Sequence, residues 1–196
     1  MKKETGKDFM PSRLFIYYGE RVIEGDVNQD NGAQIRDGMK VLANQGVPPE
    51  SEWAYDISKF AQKPPAIAFT DGLKEKAIAY KRVPRTGLAQ ALAAGNPIVI
   101  GFTCYDSFES QEVAKTGVLP MPSKGEKVVG GHCVAIVGYD QPSSTYIVRN
   151  SWGPDWGQKG YFTLPFAYYS KVGPAAGFWI LNTMGRRTDH PLGRHG

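Results

Sequence analysis

Residues 130–140 read GGHCVAIVGYD, and they place a histidine, His132, at the head of an apolar run with the length of a buried β-strand. A second stretch, VRNSWGPDWGQKGYF at residues 148–162, places Asn150 at the end of another predicted strand, before a turn rich in Trp and Gly. An Asn side chain is able to fix both the tautomer and the orientation of a neutral imidazole. The sequence therefore predicts a functional His132–Asn150 pair.

The composition is that of an ordinary globular protein. The chain has 196 residues, of which 41% are hydrophobic and 21% charged, and this length admits one domain or two small lobes. Lys and Arg are spread along the chain without the runs of about five or six like charges that mark nucleic-acid arms. No apolar run approaches the ~18 residues of a membrane span, and none follows the basic N-terminus as in a secretory signal. We expect no nucleic-acid or membrane partner, and a reducing cytosol is the favoured compartment.

The first half of the chain is predicted to be mainly helical. A helix with an aromatic face is expected to begin at Pro11-Ser12, and a second covers residues 34–45 with Gly46 as its stop. Residues 26–33 between them are dense in Asn, Asp and Gly, which indicates a turn. A short Ala-rich helix is predicted at residues 86–95.

The second half is predicted to be rich in β-strands. The predicted strands are residues 73–83, 98–104, 132–139, 145–149 and 178–181. Residues 106–126 form a polar excursion with a hydrophobic anchor at Val118-Leu119. Residues 185–196 are predicted to be a disordered tail, so His190 and His195 are assigned no role. Helices followed by strands predict an α+β fold.

The two opening stretches resemble the histidine and asparagine motifs of papain-like (C1-type) cysteine peptidases. Residues 131–139 are similar to the catalytic-histidine strand of that family, and residues 149–162 are similar to its asparagine motif, in the same order. The resemblance covers the chain from about Phe9 to Leu181. It implies a peptidase domain over residues 1–184, with a right-hand β-barrel lobe and a helical left lobe.

The resemblance also implies a reaction and its residues. Peptide or protein substrates would be hydrolysed by acyl transfer through a cysteine thiolate, with no metal or organic cofactor. His132 would be the general base and then the acid, Asn150 would orient its ring, and Trp152 would shield the pair from water. The substrate-binding residues that the resemblance implies are Asn31, Gly32, Ala33 and Gly131.

The chain departs from the family at the nucleophile. In papain and the cathepsins the nucleophile lies in a C-G-[SA]-C-[WY] run, with His and Asn about 130–150 residues downstream. This chain contains no such run. We therefore expect an N-terminally truncated catalytic domain with an incomplete left lobe, inactive on its own. Apolar residues such as Leu14 and Tyr17 are expected to be left without partners, because part of the left-lobe surface is missing.

Two cysteines occur, Cys104 and Cys133, without the spacing of a zinc site or of a disulfide framework. Cys133 follows His132 on a strand, so its side chain is expected on the opposite face, directed into the barrel. Cys104 is expected at the rim of the cleft, where it is a candidate nucleophile. The preferred interpretation of Cys104 is a small apolar strand residue.

Two other functional classes remain open at this stage. The chain could be a non-catalytic pseudo-peptidase that uses its cleft to hold peptide. It could also be a subunit completed by a separate segment that carries the nucleophile. A start codon assigned too far downstream would explain the same pattern without any change of function.

Overall fold

The computed structural model describes residues 10–171 and 177–184. The helices are α1 (Arg13–Glu24), α2 (Ile35–Asn44), α3 (Ala66–Gly72), α4 (Leu88–Ala93), α5 (Gln111–Thr116) and α6 (Tyr168–Lys171). The strands are β1 (Ala77–Arg82), β2 (Ile98–Tyr105), β3 (Val128–Asp140), β4 (Thr145–Arg149), β5 (Tyr161–Pro165) and β6 (Phe178–Met184). The chain divides into a first unit, residues 1–80 with 181–196, and a second unit, residues 81–180.

Helix α1 of the first unit has well-defined ends. Ser12 begins the helix, because its Oγ accepts a hydrogen bond from the Phe15 N–H (3.2 Å). Gly25 ends it in the left-handed conformation with φ 81°. Leu14 is only 1% exposed, so the prediction that it lacks partners is wrong. The first unit also forms a core of its own, to which α1 contributes Phe15.

That core contains Phe15, Val41, Val47 and Ala68. Helices α1 and α2 approach each other closely at Gly19, where a Cβ atom would lie 2.8 Å from Val41 Cγ2. The absent side chain of this glycine lets a branched residue of α2 pack directly on the α1 backbone.

At a second close approach between these helices a carboxyl group is partly buried. The Glu20 Oε1 atom of α1 lies 2.3 Å from where a Cβ of Gly38 on α2 would be. Burial, together with the neighbouring carboxylates of Glu24 and Asp37, raises the pKa of Glu20 to about 8.

Gly46 connects α2 to the rest of the first unit. Its φ is +71°, and a Cβ atom there would lie 1.8 Å from the Gly72 carbonyl oxygen at the end of α3. The Gly46 N–H donates to the Val41 carbonyl (3.1 Å), and the Val47 N–H donates to the Glu75 carbonyl (3.3 Å). The segment after α2 therefore runs against the backbone that follows α3.

The second unit is built on an antiparallel sheet. The strand order is β1-β6-β2-β3-β4-β5. Of β1 the second unit contains the residues from Lys81 onward, and of β6 it contains the residues up to Ile180. Strand β3 is central, because it pairs with β2 on one side and with β4 on the other. Phe102 of β2 is the register partner of His132 on β3.

The core of this unit lies on one face of the sheet. Alternate residues of β2 are buried, namely Ile98, Ile100, Phe102 and Cys104. On β3 the buried residues are Val134 and Ile136, and β4 and β5 add Val148, Phe162 and Leu164. His132 has the same parity as Val134 and Ile136, so the histidine is on the core-facing side of β3.

Some elements differ from the sequence prediction. Helix α5 lies inside the region predicted as a polar excursion, and α3 and β5 were not predicted. Of the predicted anchor, Leu119 is buried whereas Val118 is 54% exposed. The predicted tail, with His190 and His195, lies outside the described residues. Among the described helices, none has both the length and the apolar character required to cross a membrane.

Candidate active site

His132 lies near the start of the paired part of β3. Its side chain is half-buried, at the edge of the apolar core. The neighbouring Gly131 is exposed and is the register partner of Thr103 on β2. A Cβ atom at Gly131 would meet only the Phe102 carbonyl oxygen, at 3.9 Å. The backbone beside the histidine is therefore open on this side.

Asn150 directly follows β4, and its side chain is 7% exposed. Its backbone N–H donates to the Gly160 carbonyl (2.9 Å), which holds the end of β4 in place. The side-chain Oδ1 accepts a hydrogen bond from the Ser151 N–H (2.8 Å) and lies 2.8 Å from His132 Nε2. The structure thus brings together the two residues that the sequence analysis paired.

These contacts determine which imidazole nitrogen carries the proton. A backbone N–H is always a donor, so the amide atom that faces Ser151 must be the oxygen of Asn150. The same Oδ1 atom is the one that faces His132 Nε2, and an amide oxygen is only able to accept. Nε2 is therefore the donor of this hydrogen bond and carries the ring proton. In the neutral imidazole this leaves Nδ1 as the proton acceptor. The pair is therefore arranged to present a base at Nδ1.

Aromatic rings surround the pair. The Trp152 ring lies 5.1 Å from the His132 ring between centroids, with an angle of 33° between their planes. Phe108, which is 1% exposed, lies 5.9 Å from the same imidazole and 5.1 Å from Trp152. Trp152 itself is 43% exposed. One side of Trp152 is therefore available to solvent or substrate, while the other covers the histidine.

The turn that carries these tryptophans is fixed by α5. The Gly157 N–H donates to the Ala114 carbonyl (2.6 Å), and Gln158 Nε2 donates to the Thr116 carbonyl (3.0 Å). Trp156 packs within 5.6 Å of Phe108, measured between ring centroids. Helix α5 is too short for its apolar periodicity to predict this support from the sequence. The signals it offers are Ser110 at its start and Gly117 at its end.

Asn31, Gly32 and Ala33 form a turn in the first unit, between α1 and α2. Asn31 and Gly32 are exposed and Ala33 is half-buried. Gly32 has φ +78°, and a Cβ atom at this position would meet nothing within 4 Å. The Gly32 N–H donates to the Tyr17 hydroxyl (3.2 Å).

Both cysteines are placed partly as predicted: Cys104 is a small apolar strand residue, which was the preferred interpretation, and Cys133 is on the strand face opposite His132. Cys104 is 5% exposed in the core rather than at a rim, because it continues the buried alternation of β2. Burial, with a contribution from the Glu109 carboxylate, raises the pKa of the Cys104 thiol to about 12. Cys133 is on the face of β3 opposite His132, as predicted, but it is exposed. The core lies on the histidine side of β3, so the predicted direction of Cys133 into the barrel is wrong.

This difference predicts very unequal thiol reactivity. At pH 8, iodoacetamide is expected to modify Cys133 at least about 100-fold faster than Cys104, because only the thiolate reacts and burial suppresses it at Cys104. A time course of peptide masses measures both rates in one sample, and denaturation in urea, which should equalise them, is the control. A Cys104 that titrates near the ordinary thiol pKa would restore it as a candidate nucleophile.

No cluster of three or more His, Cys, Asp or Glu residues suited to a metal ion occurs within residues 10–171 and 177–184.

Comparison with known proteins identifies the family. Residues 24–173 match the pattern described as papain family cysteine protease. An uncharacterized peptidase C1-like protein of Acanthamoeba polyphaga mimivirus is 42% identical over 191 residues, which are 92% of this chain and 61% of the viral protein. Cysteine proteinase 3 of Entamoeba histolytica is 28% identical over 171 residues, which are 84% of this chain and 51% of that protein. The chain thus spans less than two thirds of the length of these curated relatives.

Solved structures show the same fold. Xylellain, a cysteine protease from Xylella fastidiosa, superposes with a TM-score of 0.84 at 39% identity, covering 93% of this chain and 74% of xylellain. The cysteine protease CMS1MS2 of Carica candamarcensis in complex with E-64 has a TM-score of 0.64 at 21% identity, covering 94% of this chain and 82% of that one, and shows the fold alone. The predicted papain-like α+β fold is confirmed. With the family pattern matched over most of its residues, the chain belongs to the papain family of cysteine proteases.

Proposed function

We propose that this chain forms part of a cysteine peptidase that hydrolyses peptide bonds, with His132 as base and acid and Asn150 as the residue that orients it. The observation that carries the proposal is the 2.8 Å hydrogen bond between His132 Nε2 and Asn150 Oδ1. The Ser151 N–H fixes the direction of that bond. Membership in the papain family supports the same chemistry.

The proposed reaction is an acyl transfer in two steps. His132 Nδ1 takes the proton of a cysteine thiol, and the thiolate attacks the carbonyl carbon of the peptide bond. The imidazolium returns this proton to the amine as the C–N bond breaks, which leaves a thioester. Water then attacks the thioester, His132 takes its proton, and the cysteine leaves as a thiolate that recovers the proton. Trp152 covers the His132–Asn150 bond, and a drier hydrogen bond is a stronger one.

We infer that the nucleophile comes from a segment outside these residues, either in a longer form of the protein or on a separate polypeptide. Two facts support this inference. Cys104 is buried with a pKa raised to about 12, and Cys133 is on the strand face opposite His132. The chain is therefore expected to be inactive when this segment is absent.

The proposed substrates are peptides or proteins in extended conformation. Asn31, Gly32 and Ala33 are proposed to bind the substrate main chain, and the exposed, open turn at Gly32 supports this role. Gly131 is proposed to leave room for substrate beside the histidine, which its exposure supports.

Supplying the nucleophile tests the proposal. The chain is combined with the segment of xylellain that carries its cysteine nucleophile, and hydrolysis of a fluorogenic dipeptidyl substrate is measured. We expect turnover from the combination and none from either part alone. The same segment with its nucleophilic cysteine changed to serine is the control. Turnover by the chain alone, or a stable complex without turnover, would contradict the proposal.

A second candidate is a non-catalytic module that binds peptide without cleaving it. The burial of Cys104 and the orientation of Cys133 favour it, since neither thiol is placed to react beside His132. The experiment above separates the two, because a binding module would retain an added peptide intact even in the presence of the nucleophile-bearing segment.

A further inference from the structure

The side chain of Arg21 on α1 is completely buried. Its guanidinium donates to the carbonyl oxygens of Val27 (2.5 Å, from Nη1), Phe60 (2.5 Å, from Nη2) and Tyr17 (3.3 Å, from Nε). It also stacks over the Tyr17 ring, 4.0 Å from the centroid. A buried guanidinium is costly unless it is hydrogen-bonded, so these contacts constrain the chain strongly at Val27.

Tyr17 lies one turn earlier on the same helix face and holds the next part of the loop. Its hydroxyl donates to Asp30 Oδ1 (2.5 Å) and accepts from the Gly32 N–H (3.2 Å). Glu24, one turn after Arg21, accepts from the Gln34 N–H (2.7 Å) through Oε1. Residues spaced by four and three positions share one face of a helix, so a single face of α1 makes all of these contacts.

These contacts hold the middle of the turn proposed to bind substrate and the residue that follows it. Gly32 is held by Tyr17, Gln34 is held by Glu24, and Ala33 lies between the two held residues. No disulfide contributes, because both cysteines of the chain belong to the second unit. The conformation of the turn is thus tied to α1 by side-chain hydrogen bonds.

We propose that Tyr17, Arg21 and Glu24, the α1 clamp, are positioning residues that hold the Asn31–Gly32–Ala33 turn in the conformation that binds the substrate main chain. This rests on the proposed peptidase function. The clamp touches no reacting group, so its loss weakens substrate binding and leaves the chemical step unchanged. Preorganised recognition of an extended peptide is sensitive to such support, because a mobile turn must be ordered on binding.

The test uses Tyr17→Phe in the protease assembled with the nucleophile-bearing segment. This change keeps the ring under Arg21 and removes only the hydroxyl that contacts Asp30 and Gly32. KM is expected to rise about fivefold to twentyfold with kcat within about twofold, because the turn loses both hydrogen bonds that this hydroxyl makes. Tyr18→Phe, on the same helix but outside the clamp, is the matched control and should leave both constants unchanged.

The acceptor side of the clamp gives a second check. Asp30→Asn retains an oxygen for the Tyr17 hydroxyl and should be tolerated, whereas Asp30→Ala should reproduce the rise in KM. Combined with Tyr17→Phe, Asp30→Ala should add little, because both changes remove the same contact. Amide exchange at Gly32 should be faster in both damaging variants.

The outcomes separate the two proposals. The positioning role would be overturned if Tyr17→Phe left KM unchanged. It would also be overturned if kcat fell by the same factor as kcat/KM. Neither result would contradict the peptidase function. An assembled wild-type protein that shows no turnover would overturn the proposed function, and the role of the clamp with it.

Discussion

Replacing His132 with alanine in the assembled protease is expected to lower kcat/KM by about 10⁴-fold or more. The imidazole is the group whose Nδ1 is positioned to take the thiol proton, and the described part of the site offers no other base next to Asn150. The loss should appear in kcat, because the base acts in the transition state rather than in substrate binding. Hydrolysis of the fluorogenic dipeptidyl substrate measures it.

Asn150→Ala is expected to reduce activity less than His132→Ala does. It keeps the base and removes the hydrogen bond that aims it, which is worth about 1–3 kcal/mol and therefore about a fivefold to 150-fold loss. Circular dichroism should be the same for both variants and the wild type. Equal losses in the two variants, or activity retained by His132→Ala, would mean that His132 is not the base.

Gly46→Ala is expected to cost the first unit about 3–5 kcal/mol of stability. Two effects combine at this position. Its φ of +71° is unfavourable for any residue with a Cβ, and the new Cβ would lie 1.8 Å from the Gly72 carbonyl oxygen. Backbone atoms cannot move aside as a flexible side chain can, so the contact between the ends of α2 and α3 must open. Hydrogen exchange of residues 10–80 under increasing urea reports this unit separately.

Gly25→Ala is the matched control. Gly25 has φ +81°, similar to that of Gly46, but a Cβ there would meet nothing within 4 Å. Its cost should therefore be the conformational term alone, about 1–2 kcal/mol. If the two substitutions lowered the free energy of unfolding equally, the close approach of Gly46 to the Gly72 carbonyl would contribute nothing to the effect of Gly46→Ala.

The elements that could be predicted from sequence are those with a clear periodicity of apolar residues or with recognisable capping residues. Strand β2 has apolar residues at every second position from Ile98 to Cys104, and α1 has Ser12 and Gly25 at its ends. Helix α5 buries only Val113, so it has no periodicity to detect. The same alternation places Cys104 on the face of β2 that carries buried Phe102, which indicates a buried thiol and not one at the rim of a cleft.

The candidate site was predictable to the extent that it is local. His132 and Asn150 each lie where a strand meets a recognisable motif, and adjacent strands bring such positions together. The support from α5 was not predictable in this way. The hydrogen bond from Gly157 to Ala114 joins segments distant in sequence, and nothing in either segment specifies the other. The α1 clamp could not be predicted for a different reason, because the spacing of Tyr17 and Arg21 is also that of an ordinary core-facing helix.

The Glu20 carboxyl beside Gly38 makes the stability of the first unit depend on pH. The folded-state pKa of Glu20, about 8, is above the ordinary value of 4.5, so the native state binds this proton more tightly than the unfolded chain does. The stability that depends on it is fully present below pH 4.5 and decreases as the pH rises towards 8, by about 1.4 kcal/mol for each unit of pKa difference. The packing of α1 against α2 at this position is therefore favoured by acid.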